Sequence, residues 1–241
     1  LAILFISDLH LDRGRPAATS LFMAFLEQRA SAANALYILG DLFEAWIGDD
    51  DDEPLGQQVA SALRTLSCRG VPVYLMRGNR DFLLGEAFAA ASGARLLPEM
   101  EVIDLYATPT LIMHGDSLCT DDVDYQAFRH RVRSPEWQSQ MLALPLSRRR
   151  EIAEQLRVES EQAIRDKGPL ITDVNPEAVV TALQTHGVRR LIHGHTHRSC
   201  IHEWQSAGDT FQRIVLGDWY ERGSVLICDE TGCSLENLLL R

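Results

Sequence analysis

Five short polar clusters, each placed directly after a short apolar run, constrain this chain more than any other feature of its sequence. They are Asp8-Leu9-His10, Gly40-Asp41, Gly78-Asn79-Arg80-Asp81, His114-Gly115-Asp116 and Gly194-His195-Thr196-His197. The runs before them, Leu1 to Ile6, Leu36 to Leu39, Val73 to Met76, Thr110 to Met113 and Arg190 to Ile192, read as buried strands ending in turns. Between the first three runs, Leu21, Phe22, Phe25 and Leu26, then Val59, Leu63 and Leu66, recur at helical spacing. The pattern is strand, helix, strand, helix, strand, and the fold class is α/β. Ligands bind at the carboxyl ends of strands in such sheets, so the five clusters are expected to meet along one edge. Arg213 to Leu216, Ser224 to Cys228 and Ser234 to Leu240 make the last third strand-rich.

Residue types in the clusters point to divalent cations. Asp8 and His10 are two apart, as are His195 and His197, and extended backbone would put each pair on one face, able to grip one ion. With Asp41, Asn79 and His114 they form seven oxygen and imidazole donors without a thiolate. That is too many for one tetrahedral zinc and suits two octahedral ions such as Mn²⁺. Four of the eight histidines lie in these motifs; His193, just before the last of them, is set aside as a strand-end residue bonded to backbone.

Residues 125–170 differ from the rest. Ser134-Pro135-Glu136 is a helix start, Pro145 and Pro169 are stops, and a second helical run follows Ser147. The chain is read as one domain over 1–241 with an inserted helical cap over 122–168. The formal charge of the whole chain is −11, yet this segment carries more basic than acidic residues, so an anion would be handled here. The acidic balance excludes general affinity for nucleic acid, which needs surplus cations. Asp49 to Asp52 reads as a solvated acidic loop, and Arg148 to Arg150 as a solvated face or a contact to anionic headgroups. Five cysteines without a C-x-x-C pair fit neither a disulfide framework nor a zinc knuckle and suit a reducing cytoplasm. The opening run is too short for an export signal or a membrane span.

The ordered set D-x-H, G-D, G-N, H-G-D and G-H-T-H resembles the calcineurin-like metallophosphoesterase superfamily, over Asp8 to His197. That resemblance implies a two-sheet β-sandwich flanked by helices and a dinuclear Mn²⁺ centre. One ion would take Asp8, His10, Asp41 and His197, and the other Asp41, Asn79, His114 and His195. Many members carry His after the G-N pair to protonate an alkoxide, and here that place is Arg80. Arg cannot give up its proton at neutral pH, so Arg80 favours a phosphate leaving group and a pyrophosphate link. The competing reading pairs Arg80 with Asp81 at the surface.

Longer strings, Phe43 to Asp50, Arg77 to Leu83, His114 to Asp122, Ala143 to Ser147 and Leu191 to Arg198, are similar to the bacterial UDP-2,3-diacylglucosamine diphosphatases of lipid A synthesis. This likeness implies hydrolysis of a UDP-linked diacylated glucosamine lipid at the α-phosphate, giving UMP and 2,3-diacylglucosamine 1-phosphate. It also implies a cytoplasmic enzyme, peripheral at the inner membrane and monomeric. By the same likeness Asn79, Arg80, Asp122, Ser160, Lys167 and His195 contact substrate, with Arg80 catalytic; Ile164 stands where a polar residue is common. Lys167 is the chain's single lysine. Apolar cap residues such as Phe128, Val132, Trp137, Met141 and Leu142 would line an acyl cleft or pack the cap onto the body. The metal motifs alone also admit another nucleotide diphosphate or a phosphodiester as substrate. A noncatalytic adaptor on this scaffold would be expected to have lost ligands, and all seven stand.

Overall fold

A computed structural model describes residues 2–166, 173–206 and 208–239. Alternation along the first three strands explains the architecture. In β1 (Ile3–Ile6), β2 (Ala35–Leu39) and β3 (Val73–Met76), Leu4, Ile6, Leu36, Ile38, Val73 and Leu75 turn one way and pack against helices. Phe5, Ala35, Tyr37, Leu39 and Met76 turn the other way and pack against a second sheet. Both faces are thus buried, as parallel strands require. The helices covering the first face are α1 (Pro16–Gln28), α2 (Pro54–Cys68) and α3 (Glu86–Ser92), with Phe22, Phe25, Val59, Leu63 and Phe88 in the core they share. Proline in the first turn of α1 and of α2 fits, because its missing N–H would have had no helical partner there.

The remaining strands are β4 (Arg95–Leu96), β5 (Met100–Leu105), β6 (Thr108–Met113), β7 (Arg190–His193), β8 (Cys200–Ser206), β9 (Asp209–Val215), β10 (Arg222–Asp229) and β11 (Gly232–Leu239). One sheet has the order β11-β10-β1-β2-β3-β4 and the other β5-β6-β7-β9-β8. Strands β1 to β4 are parallel to one another, as are β6, β7 and β9, while the outer strands β5, β8, β10 and β11 add antiparallel. Between β6 and β7 come α4 (Val123–Val132), α5 (Pro135–Leu142), α6 (Leu146–Asp166) and α7 (Pro176–His186). The last of these packs Val179, Ala182 and Leu183 into the core that includes β6 and β7.

Three expectations are corrected. The acidic loop and the arginine run are not separately solvated: Arg149 is buried and donates to both carboxylate oxygens of Asp50 at 2.6 Å, while Arg150 reaches Asp51 and Asp52. Arg149 also donates to the carbonyls of Ile47 and Leu144, so these charges fasten α6 to the body. Asp49 accepts from Trp46 Nε1 and from the backbone of Gly85 and Phe88. The thiols are not all free, since Cys228 and Cys233, opposite each other in the β10-β11 hairpin, form a disulfide. Among the cap residues proposed to line a cleft, Val132 and Met141 are buried in packing, whereas Leu142 is exposed.

Candidate metal centre

The five clusters follow β1, β2, β3, β6 and β7, and they meet where the two sheets' carboxyl edges come together. The β1 and β2 ladder continues past the strands. Backbone N–H groups of Asp8, His10 and Leu11 donate to the carbonyls of Gly40, Asp41 and Leu42, and Glu44 N–H donates back to Leu11. This zipper fixes Asp8, His10 and Asp41 relative to one another before any side-chain contact is counted.

The backbone is not extended there, which overturns the same-face argument for the two pairs. Asp8 (φ 55°), His10 (φ 49°), Asp41 (φ 52°), His195 (φ 67°) and His197 (φ 59°) are all left-handed, five of the seven such non-glycine residues among those described. Each costs about 1–3 kcal/mol and persists only where its surroundings over-determine it. His195 and His197 consequently part: His195 joins Asn79 and His114, while His197 joins Asp8 and His10. Two glycines are required by close approach. A Cβ on Gly78 would lie 2.0 Å from Asp41 Oδ1, and one on Gly194 would lie 2.3 Å from Asp8 Oδ2.

The donors fall into two overlapping groups. Asp8, His10 and His197 form one, and Asp8, Asp41 and His114 another, the donor atoms within each lying within 4.8 Å of one another. His10 Nε2 lies 3.3 Å from His197 Nε2, and Asp8 Oδ1 lies 3.3 Å from His197 Nε2. Asp41 Oδ2 stands between the groups, 3.8 Å from His10 Nε2 and 3.7 Å from His114 Nε2. Asn79 Oδ1 is 2.8 Å from both His114 Nε2 and His195 Nδ1.

The contacts around these donors decide whether a cation fits. His114 Nδ1 lies 2.9 Å from the carbonyl of Leu39 and must donate to it, so a neutral His114 turns the lone pair of Nε2 toward another acceptor, Asn79 Oδ1. His10 and His197 likewise confront each other through Nε2, with His197 Nδ1 3.4 Å from Asp218 and His10 Nδ1 3.1 Å from Glu44. Acceptors facing acceptors in a buried pocket are repulsive unless positive charge lies between them. Donor spacings near 3 Å suit neighbouring ligands of an octahedral ion bound at about 2.0–2.2 Å. The residues fit divalent cations.

Electrostatics agree. Against burial, the imidazoles of His197, His114 and His10 hold Asp8 far below the usual carboxylate range. Burial, reinforced by His114, lowers His195 to about 3, so it stays an unprotonated donor, while Asp8 and Asp218 outweigh burial and raise His197 to about 8, so that without a cation a proton on His197 supplies the positive charge that its neighbours call for. His193 bonds the Gly194 carbonyl and is lowered to about 4 by burial, a structural role as expected.

Arg80 does not pair with Asp81. Its backbone N–H donates to Asp41 Oδ1 at 2.7 Å, and its guanidinium lies at the rim, 3.8 Å from Glu44 Oε1. Asp81 is fully buried and accepts from the backbone of Gly78 and Leu42 at 2.7 Å and of Asp41 at 3.3 Å. Asp122 caps α4, on which Tyr125 stacks over His195 with ring centroids 5.7 Å apart. Ser160 sits on α6 one turn beyond Arg157. Lys167 and the side chain of Ile164 lie outside the described residues. Beside the centre a groove of about 250 Å³ runs under α6, with Phe43, Trp46 and Leu55 on one wall and Ala153 and Arg157 on the other. Sequence reasoning missed Glu44 and Asp218 and read Asp81 only as a surface partner of Arg80; Glu44 follows Asp41 by three residues, whereas Asp218 lies far past His197 and leaves no local signal.

The family profile named Calcineurin-like phosphoesterase matches residues 1–199. A curated relative from Stenotrophomonas maltophilia, named UDP-2,3-diacylglucosamine hydrolase, is 53% identical over 245 residues, covering 99% of each chain. One of the same name from Xanthomonas axonopodis pv. citri is 53% identical over 247 residues, covering 100% of both. Among solved structures, an archaeal phosphodiesterase aligns with TM-score 0.50 at 11% identity over 99% of this chain and 100% of its own. A Thermus thermophilus protein aligns with TM-score 0.50 at 17% identity over 100% of this chain and 99% of its own. Both show a shared fold.

Proposed function

The chain belongs to the calcineurin-like phosphoesterase family, and on that ground we propose that it is the hydrolase of UDP-2,3-diacylglucosamine, cleaving its pyrophosphate bond to UMP and the lipid 1-phosphate in lipid A synthesis. The observation that carries this reading is the seven-donor pocket with Arg80 at its rim, in a chain matched end to end by hydrolases of that name.

Asp8, His10, Asp41 and His197 would hold one ion and Asp41, Asn79, His114 and His195 the other, with Mn²⁺ the ion favoured by an all oxygen and nitrogen donor set. When bound, two divalent cations supply positive charge to the phosphoryl oxygens and lower the pKa of water. The chain's own residues do the rest. Ser7 Oγ and the His195 N–H fix Asp8, and the Arg80 N–H fixes Asp41 so that Oδ2 faces inward. The Arg80 guanidinium offers charge and hydrogen bonds to a diphosphate but no transferable proton. A phosphate leaving group, with second pKa about 6, departs without one.

Asp122, Ser160 and Lys167 complete the substrate contacts in this reading, with the cap of 122–168 covering the lipid within a single domain of 1–241. The groove's apolar wall supports an acyl chain there, while its arginines, Arg13, Arg150 and Arg157, are paired with Glu53, with Asp51 and Asp52, and with Glu154. A monomer working peripherally at the cytoplasmic face of the inner membrane would meet such a substrate. No helix among the described residues is long and apolar enough to cross a membrane.

UMP release from the acylated nucleotide in Mn²⁺ tests the assignment, with deacylated UDP-glucosamine and a simple phosphodiester as comparators. The acylated substrate should be strongly preferred, and Arg80→His should slow its cleavage roughly tenfold or more, as expected for a charged contact of about 1.5–3 kcal/mol. Turnover of the phosphodiester alone would reject the assignment.

A further inference from the structure

Glu44 stands outside the donor set, yet it touches both halves of the site's chemistry. Its side chain is 13% exposed, with Oε2 3.1 Å from His10 Nδ1 and Oε1 3.8 Å from the Arg80 guanidinium. Its position is set by the backbone, because the Glu44 N–H closes the last rung of the β1-β2 zipper on Leu11 O, and Leu11 and Phe43 pair as a parallel bridge beside it. His10 Nδ1 makes no aligned hydrogen bond among the described residues, which leaves the Glu44 carboxylate as the acceptor within its reach.

A ligating imidazole has two ring nitrogens, and the partner of the outer one decides which tautomer is present and how the ring is turned. A carboxylate at Nδ1 keeps the proton there. It leaves the Nε2 lone pair facing His197, Asp41 and Asp8, at 3.3, 3.8 and 4.0 Å. The carboxylate beside His197, that of Asp218, is 28% exposed. Glu44 is the more buried of the two and has Arg80 on its other oxygen.

We propose that Glu44 is a positioning residue that couples cation binding to recognition of the substrate's charge, holding His10 Nε2 toward the centre with one oxygen and steadying the Arg80 guanidinium with the other. The His10 arm stands on the donor geometry alone; the Arg80 arm rests on the diphosphatase reading. Two consequences differ by variant. Glu44→Ala removes both arms. Glu44→Gln keeps an oxygen that can accept from Nδ1–H but loses the charge that attracts Arg80.

Mn²⁺ titrated into the metal-stripped full chain, with free Mn²⁺ read by electron paramagnetic resonance, tests the His10 arm without any substrate. Glu44→Ala should weaken Mn²⁺ binding by about 10-fold or more, the usual effect of losing such an outer partner, and Glu44→Gln by clearly less. Kinetics at saturating Mn²⁺ test the other arm. Glu44→Gln should raise KM for the acylated nucleotide several-fold with a smaller change in kcat, and in an Arg80→Met background the same substitution should add nothing to KM. Unchanged Mn²⁺ affinity in Glu44→Ala with native circular dichroism would overturn the His10 arm. Glu44→Gln as weak as Glu44→Ala in Mn²⁺ binding would overturn it too, and decides the matter if Glu44→Ala does not fold. A KM increase from Glu44→Gln that persists in Arg80→Met would overturn the coupling to Arg80. If the wild type ignores the acylated nucleotide, the diphosphatase reading fails while the titration still judges Glu44.

Discussion

Asp81, a fully buried carboxylate, organises the turn that presents Asn79. Its oxygens satisfy N–H groups of Gly78, Leu42 and Asp41, which would otherwise be buried without partners. Burial and the neighbouring Asp41 raise its pKa to about 6. Asp81→Ala should therefore destabilise the fold by about 2–4 kcal/mol, at about 1–3 kcal/mol for each orphaned group with partial relaxation, and urea denaturation would measure it. Asp81→Asn, which keeps one acceptor oxygen, should lose less; equal losses would contradict the assignment. Cys119 gives a test with a definite sign in pH. Burial, with Asp116 adding repulsion, pushes the Cys119 thiol up to about 12, so it remains neutral and unreactive at pH 8, whereas Cys68 and Cys200 are exposed. Ellman's reagent at pH 8 without reductant should titrate two thiols in the native protein and a third only on unfolding. The candidate donors Asp8, His10, His195 and His197 are legible at this scale because D-x-H and G-H-T-H single them out. Their backbone is not, since a left-handed φ at Asp8 or His10 arises from hydrogen bonds to residues far along the chain.

At the scale of elements, α4 to α6 are held by buried charge rather than by grease alone. Asp116 accepts from Arg129 Nε at 2.9 Å and from Arg133 at 3.1 Å, and Arg133 also donates to the Gly78 carbonyl, tying α4 to the loop that carries Asn79. On the other side Arg149 fastens α6. Arg149→Ala would leave the carbonyls of Ile47 and Leu144 without this donor, and proteolysis within α5 and α6 should quicken, with a stability loss of about 2–4 kcal/mol. Asp50→Asn should do much less, because the Asp50 side chain is 60% exposed. Similar cutting rates for the two would remove the buried end of the latch. From sequence these charges read as separate solvated faces, because pairing between positions about a hundred residues apart leaves no local trace. Strands β5 and β8 are hidden for a related reason: each is a sheet edge with water on one side, and Glu101, Asp104, His202 and Glu203 break the apolar run that reveals a central strand. The central strands β1, β2 and β3, buried on both faces, are legible almost to the residue.

For the whole molecule, the two sheets bring Asp8 and Asp41 together with four imidazoles, so folding without cations assembles a crowded set of donors that only protons hold together. Cations that bind the native state and not the unfolded chain take over that role, and stability should follow their concentration. At one hundred times the dissociation constant, one site adds about 2.7 kcal/mol. In a chain of this size about 1 kcal/mol moves the thermal midpoint by about 2–4 °C, so Mn²⁺ added to the chelator-stripped protein should raise Tm by about 5–10 °C. The net charge of −11 attracts any divalent cation weakly, so a general effect must be separated from a site effect. Ca²⁺ at the same ionic strength supplies the first control, since its preference for six to eight oxygens suits this imidazole-rich set poorly. His114→Ala supplies the second, because it removes a donor from beneath Asn79 while leaving the surface charge as it was. The Mn²⁺ shift should shrink by half or more in that variant and be largely absent with Ca²⁺. A shift of equal size in all three experiments would mean that the ions act on surface charge, and that the converging loops do not bind them.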